Sequence, residues 1–188
     1  MIFLSGSLCM EDGLRLAGRI ARVTGARIMG NRVNGRTQRG AGRVVIERLP
    51  YPIESSLAML RGVAHLVLVG SPVPVPFFAW AGKPNRIVPE KCRIHVLATP
   101  EEDCLGAMSG LVEELGAPGD DSAFYPHQRP PLPTGEITAE KIWRALTALM
   151  PENAIISDEG VTSSRDAEAW TVGAPPHDWL NVTGGSIG

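Results

Sequence analysis

Two stretches near the end of this 188-residue chain carry residue types that could hold a phosphorylated ligand. One is "IISDEGVTSS" (155–164) and the other is "NVTGGSIG" (181–188). In each, an apolar run of strand type gives way to glycine and small hydroxyls. Glycine lets the backbone approach a ligand closely, and main-chain N–H groups at such a turn are ready donors to an anion. If both strands run parallel toward the same sheet edge, Glu159-Gly160-Val161-Thr162-Ser163-Ser164 and the glycines from Gly184 to Gly188 face one crevice. That arrangement of hydroxyls and amides suits a diphosphate. The same residues also suit an ordinary strand-to-helix connection, and the local pattern leaves both readings open.

A third stretch, "GNRVNGRTQRGAGRVVIERLP" (30–50), carries Arg32, Arg36, Arg39, Arg43 and Arg48 among glycines. Read as a long loop, it either holds a phosphate or is a solvated segment neutralised by Glu47 and its neighbours. The four histidines are scattered. His65 and His95 fall inside strand patterns, where a satisfied core histidine is the expected role, and His177 adjoins Asp178 in "APPHDW". "GDDS" (119–122) sits in a proline-rich stretch and is not expected to bind metal. No GxSxG nucleophile motif is present. Cys9, Cys92 and Cys104 are odd in number and widely spaced, so neither a disulfide framework nor a zinc site is expected; Cys92 and Cys104 fit buried positions.

The elements that would position these residues read as alternating strands and helices. Ile2–Leu4 is a short buried strand, and residues 11–24 place Leu14, Ala17, Ile20, Ala21 and Thr24 on one helical face that Gly25 ends. "ARIM" is a second strand, a helix follows at about 53–62, and "AHLVLVG" (64–70) is the clearest buried strand. The prolines of "PVPVPFFAWAGKP" exclude helix or central strand and predict an apolar loop over the sheet edge. "CRIHVLA" (92–98) is another strand, followed by a helix with Thr99 as its expected N-cap; Leu111, Val112 and Leu115 form its core face, and Glu113 and Glu114 its solvated one. Residues 117–136 hold five prolines and read as a linker. Beyond it, Thr138 caps an amphipathic helix, "NAIISDEG" is a strand, "VTSSRDAEAW" leads into a helix, and "WLNVTGG" is a strand and turn. The expected organisation is a βα-alternating domain at 1–116, a linker at 117–136 and the opening of a second domain at 137–188.

Composition sets the bounds. With 44% apolar residues the chain can bury a core, and a net charge of −2 gives no electrostatic case for nucleic acid or an anionic membrane. The start has no basic leader, no window approaches the ~18 apolar residues of a membrane span, and a cytoplasmic location is expected.

A βα domain, a proline-rich linker and then "ITAEKIWRALTALMPENAIISDEGVTSS" and "WLNVTGGSIG" resemble the thiamine diphosphate-dependent enzymes of the acetolactate synthase and benzoylformate decarboxylase type. The resemblance implies an α/β fold: a parallel-sheet, Rossmann-like (DHS-like) middle domain followed by a truncated thiamine diphosphate-binding domain. It implies that Glu159, Thr162 and Ser163 lie against the cofactor's diphosphate. It also implies that Gly184 and Gly185 approach the aminopyrimidine, and that Ile187 wedges beneath the cofactor. The activity implied for the complete enzyme is decarboxylation or carboligation of a 2-keto acid, with Mg²⁺ held by a GDG…N motif that these 188 residues do not contain. No catalytic residue and no metal ligand is expected within the chain. An FAD-binding stretch is not found at 69–86, so FAD is not expected. The implied partners are the missing N- and C-terminal parts of the same enzyme, in a homo-oligomer. On this reading the chain stops at an internal boundary of a longer protein and is by itself inactive. The competing reading is a non-catalytic nucleotide-binding or subunit-assembly module that uses the arginines of the 30–48 loop.

Overall fold

The computed structural model describes residues 1–119, 124–160 and 162–183. In chain order the elements are β1 (Ile2–Leu4), a 3-10 turn (Gly6–Cys9), α1 (Glu11–Thr24), β2 (Ile28–Gly30), β3 (Arg36–Arg39), β4 (Glu47–Arg48) and α2 (Ile53–Leu60). They continue with β5 (His65–Val69), β6 (Arg93–Ala98), α3 (Cys104–Glu114), α4 (Ala139–Leu149), β7 (Ala154–Asp158), α5 (Ala167–Trp170) and β8 (His177–Asn181). They divide into two compact units, one of Met1–Asn34 with Ile46–Pro118, the other of Gly35–Val45 with Gly119–Gly188.

In the first unit five strands form a parallel sheet in the order β4–β2–β1–β5–β6. All three residues of the central β1 are buried, as its uninterrupted apolar sequence requires when both sheet faces are covered. The strand order reverses beside β1, the arrangement of a doubly wound sheet. Phe3, Met29, Leu60, Leu66 and Leu68 are the centre of the core. Helix α1 buries Leu14, Ala17 and Ile20 and stops at Gly25, whose φ of 68° is left-handed and whose N–H returns to the Ala21 carbonyl.

Three local expectations change in this unit. Helix α3 is capped by Asp103, whose Oδ1 accepts from the Gly106 N–H (2.8 Å), and not by Thr99. The Thr99 N–H is already engaged by the Glu102 carboxylate (2.7 Å), which folds residues 99–102 into a separate turn, and aspartate is the stronger cap. His65 and His95 are exposed and not core; their Nδ1 and Nε2 atoms meet at 3.0 Å. His95 lies on β6, the sheet's edge strand, and His65 is the first residue of β5, at the start of its pairing with β6. Cys92 is buried as expected, while Cys104 is only partly so.

The second unit is a three-stranded sheet in the order β3–β8–β7. β7 and β8 are parallel, and β3, drawn from the arginine-rich stretch, joins β8 antiparallel with Arg36 opposite Leu180 and Arg39 opposite His177. That stretch is therefore not simply a loop. Its alternation, with Thr37 and Arg39 buried and Arg36 exposed, has the period of a strand. Residues from the proline-rich stretch pack into the same unit. Tyr125 exchanges main-chain hydrogen bonds with Gly42 and Arg43, Gln128 N donates to the Gly173 carbonyl, and the Arg129 guanidinium caps α4 at the Ala148 and Met150 carbonyls. Thr138 caps α4 from the other end, its hydroxyl accepting from the Lys141 N–H (3.2 Å).

Candidate functional site

β7 and β8 pair in the register Ala154 to His177 through Asp158 to Asn181, so the segments after Asp158 and after Asn181 leave the sheet side by side at one edge. This is where ligands meet parallel sheets, because the strand ends deliver loop backbone to a common rim. The three described residues expected to touch a diphosphate, Glu159, Thr162 and Ser163, are all exposed there. Gly184, Gly185 and Ile187 lie outside the described residues.

The loop after β7 is tied to its own side chains. The buried Asp158 carboxylate accepts from the Gly160 N–H through Oδ1 (2.9 Å) and from the Trp179 indole N–H through Oδ2 (3.2 Å). The Ser164 hydroxyl donates to the Gly160 carbonyl. A Cβ on Gly160 would stand 2.5 Å from Ser164 Oγ and 2.9 Å from Ser164 Cβ, so any larger residue there must displace the Ser164 side chain. Behind the loop, the half-buried Trp143 stacks on the fully buried Trp179 (centroids 5.2 Å apart) and donates its indole N–H to the Ser163 carbonyl (2.8 Å). Nothing in the local sequence pattern marks Trp143, Asp158 or Trp179 as partners. The presence of two tryptophans and an aspartate on α4, β8 and β7 is the only signal.

His177 stands at the opposite end of β8, beside Ala154 and away from the loop. Its Nδ1 lies 2.8 Å from the Pro175 carbonyl and so carries the proton, and burial, the main cause, lowers its pKa below the ordinary value, with Arg39 and Arg43 acting in the same direction. Asp178, next along the strand, points to the other sheet face and pairs with Arg36 (2.8 Å), so the two do not act as a dyad. Arg39 is buried over the Trp179 ring (5.8 Å); its guanidinium donates to the Glu168 carbonyl (2.9 Å) and lies 3.5 Å from the Glu168 carboxylate. Glu47, read as the neutraliser of the arginine-rich stretch, is bound instead to Arg27 (2.6 Å). Arg36 and Arg39, two of the arginines expected to recognise a nucleotide, are thus engaged within the second sheet. Among the described residues no group of three or more His, Cys, Asp or Glu could hold a metal ion, and no helix is long and apolar enough to cross a membrane.

No protein-family model matches the chain. Over all 188 residues it is 42% identical to "Putative acetolactate synthase large subunit IlvX" of Mycobacterium tuberculosis, and it spans 36% of that protein. Its fold matches a Rhodococcus jostii thiamine diphosphate-dependent 4-hydroxybenzoylformate decarboxylase, with a TM-score of 0.64 and 15% identity over 96% of this chain and 37% of that one. A "putative thiamin diphosphate-dependent enzyme" from Mycobacterium smegmatis matches equally, with a TM-score of 0.64 and 19% identity over 100% of this chain and 39% of the other. The chain is thus similar in sequence to an acetolactate synthase large subunit and shares its fold with solved thiamine diphosphate-dependent enzymes. It is similar to little more than a third of these relatives' lengths. At the parallel β7–β8 edge, the exposed Thr162 and Ser163 offer hydroxyl donors of the kind a diphosphate accepts, beside the carboxylate of the exposed Glu159.

Proposed function

We propose that the chain comprises the middle domain and the opening of the diphosphate-binding domain of a thiamine diphosphate-dependent 2-keto acid decarboxylase or carboligase of acetolactate synthase type. The observation that carries this reading is the parallel register of β7 and β8, which brings the segments after Asp158 and Asn181 to one edge. When bound, the cofactor supplies the electron sink for loss of CO₂ from a 2-keto acid. The residues of this chain bind and orient it. Thr162 and Ser163 donate to the diphosphate and Gly160 lets the loop close around it, while Gly184, Gly185 and Ile187 serve the aminopyrimidine side. Glu159 brings a negative charge to the same rim, which a bound Mg²⁺ would offset. The Mg²⁺ ligands, the cofactor-activating glutamate and most substrate contacts belong to other parts of the parent enzyme, a cytoplasmic homo-oligomer. The 188 residues alone turn over no 2-keto acid.

The test is a titration of the isotopically labelled protein with thiamine diphosphate and Mg²⁺, read at individual amides by NMR, beside an assay for CO₂ release from pyruvate. Shifts at Thr162 and Ser163 without turnover are expected. Shifts confined to residues of the first unit, or sustained turnover, would overturn the proposal.

A further inference from the structure

The loop at 158–164 is closed by a ring of contacts that joins three elements. From α4, Trp143 stacks on Trp179 of β8; Trp179 donates to Asp158 at the end of β7; Asp158 accepts from the Gly160 N–H; the Gly160 carbonyl accepts from Ser164; and the Ser163 carbonyl accepts from Trp143. The last contact sets the orientation of a peptide plane. In a trans peptide the carbonyl of one residue and the N–H of the next point in opposite directions. With the Ser163 carbonyl held toward α4, the Ser164 N–H must face away from α4. Thr162 and Ser163 themselves remain exposed, while Ser164 is buried.

We propose that Trp143 is a positioning residue for this loop: its indole N–H, acting on the Ser163 carbonyl, fixes the backbone from which the exposed Thr162 and Ser163 meet an anion. The role rests on the reading that the loop receives a diphosphate. Trp143 touches no ligand in this scheme; it acts through the backbone of Ser163. Preset donors bind an anion without the ordering cost that a freely turning peptide incurs. The stack on Trp179 fixes the indole in turn, so Trp143 holds the loop from a rigid base.

Trp143→Phe keeps a ring against Trp179 and removes only the N–H donor. Inorganic pyrophosphate, titrated against the full 188-residue chain and read at the Thr162, Ser163 and Ser164 amides, is expected to bind about three- to tenfold more weakly in the variant, as loss of one hydrogen bond implies. Hydrogen exchange at Ser164 is expected to rise in the variant while exchange in β7 and β8 is unchanged, a split that a purely structural role would not produce. In the unaltered protein the Trp143 indole proton is expected to be protected from exchange, a measurement that needs no variant. Equal pyrophosphate affinity in the two proteins, or a freely exchanging indole proton, overturns the positioning role alone. Absence of any pyrophosphate response in the unaltered chain overturns the diphosphate reading and this role with it.

Discussion

Asp158 can be tested most sharply by changing it to asparagine. Its carboxylate offers two acceptor oxygens to two donors, the Gly160 N–H at 2.9 Å and the Trp179 indole N–H at 3.2 Å. An ionised carboxylate only accepts; an amide of the same shape presents one acceptor and one NH₂ donor. Whichever way the introduced amide turns, one N–H faces another N–H. If that donor is the indole of Trp179, which is fully buried, the cost is that of an unsatisfied buried group, about 1–3 kcal/mol. If it is the Gly160 amide, which is part-buried, the loop loses its closing bond at about 1 kcal/mol. Asp158→Ala leaves both donors without a partner, and the two costs together reach about 2–4 kcal/mol. The assay is urea unfolding followed by tryptophan emission, because Trp143 and Trp179 both report on the second unit. The order expected is wild type, then Asn, then Ala. An Asp158→Asn protein within about 0.5 kcal/mol of wild type would refute the two-donor reasoning, whatever the alanine variant does.

Burial keeps the native His177 neutral, so its pKa lies below the ordinary value of 6.5. The unfolded chain then binds the proton more readily, and the stability this group contributes is fully present above the unfolded value and is lost as pH falls through the folded one. The urea midpoint of the second unit should fall as the pH is lowered from about 7.5 to about 5.5, and His177→Gln should flatten that slope; an unchanged slope would show that another group is responsible. Arg39→Ala removes a buried guanidinium (7% exposed side chain) from Glu168 and should cost about 3 kcal/mol, whereas Arg36→Ala, with its side chain 52% exposed, should cost under about 1 kcal/mol by the same measurement. Equal losses from the two substitutions would contradict the burial argument.

Much of the first unit was legible in the chain because its signals are local. Ile2–Leu4 and His65–Val69 are short apolar runs closed by glycine, the pattern of buried parallel strands, and α1 shows both its apolar stripe and its stop at Gly25. The loop at 159–164 could also be located, since glycine and small hydroxyls follow a strand there. What the pattern could not supply was the pairing partner of each strand. Register between residues far apart in sequence is set by packing, so nothing near Arg36–Arg39 announces that it pairs with His177–Leu180. The exposure of His95 was lost for the same reason, because alternation describes a strand but not whether it lies at a sheet's edge, and His65 is exposed at the very start of its strand.

The sequence by itself determined the strands at Ile2–Leu4 and His65–Val69, helix α1 and the caps at Thr138 and Gly25, all of which depend on residues within a few positions of one another. Only the tertiary structure decided that the arginine-rich stretch is part strand and that Arg36 and Arg39 are bound by Asp178 and Glu168. It alone brought Trp143, Trp179 and Asp158 behind one loop. Those contacts join residues that the chain keeps well apart, and the burial that makes each worth its ordering cost exists only once the second sheet has closed.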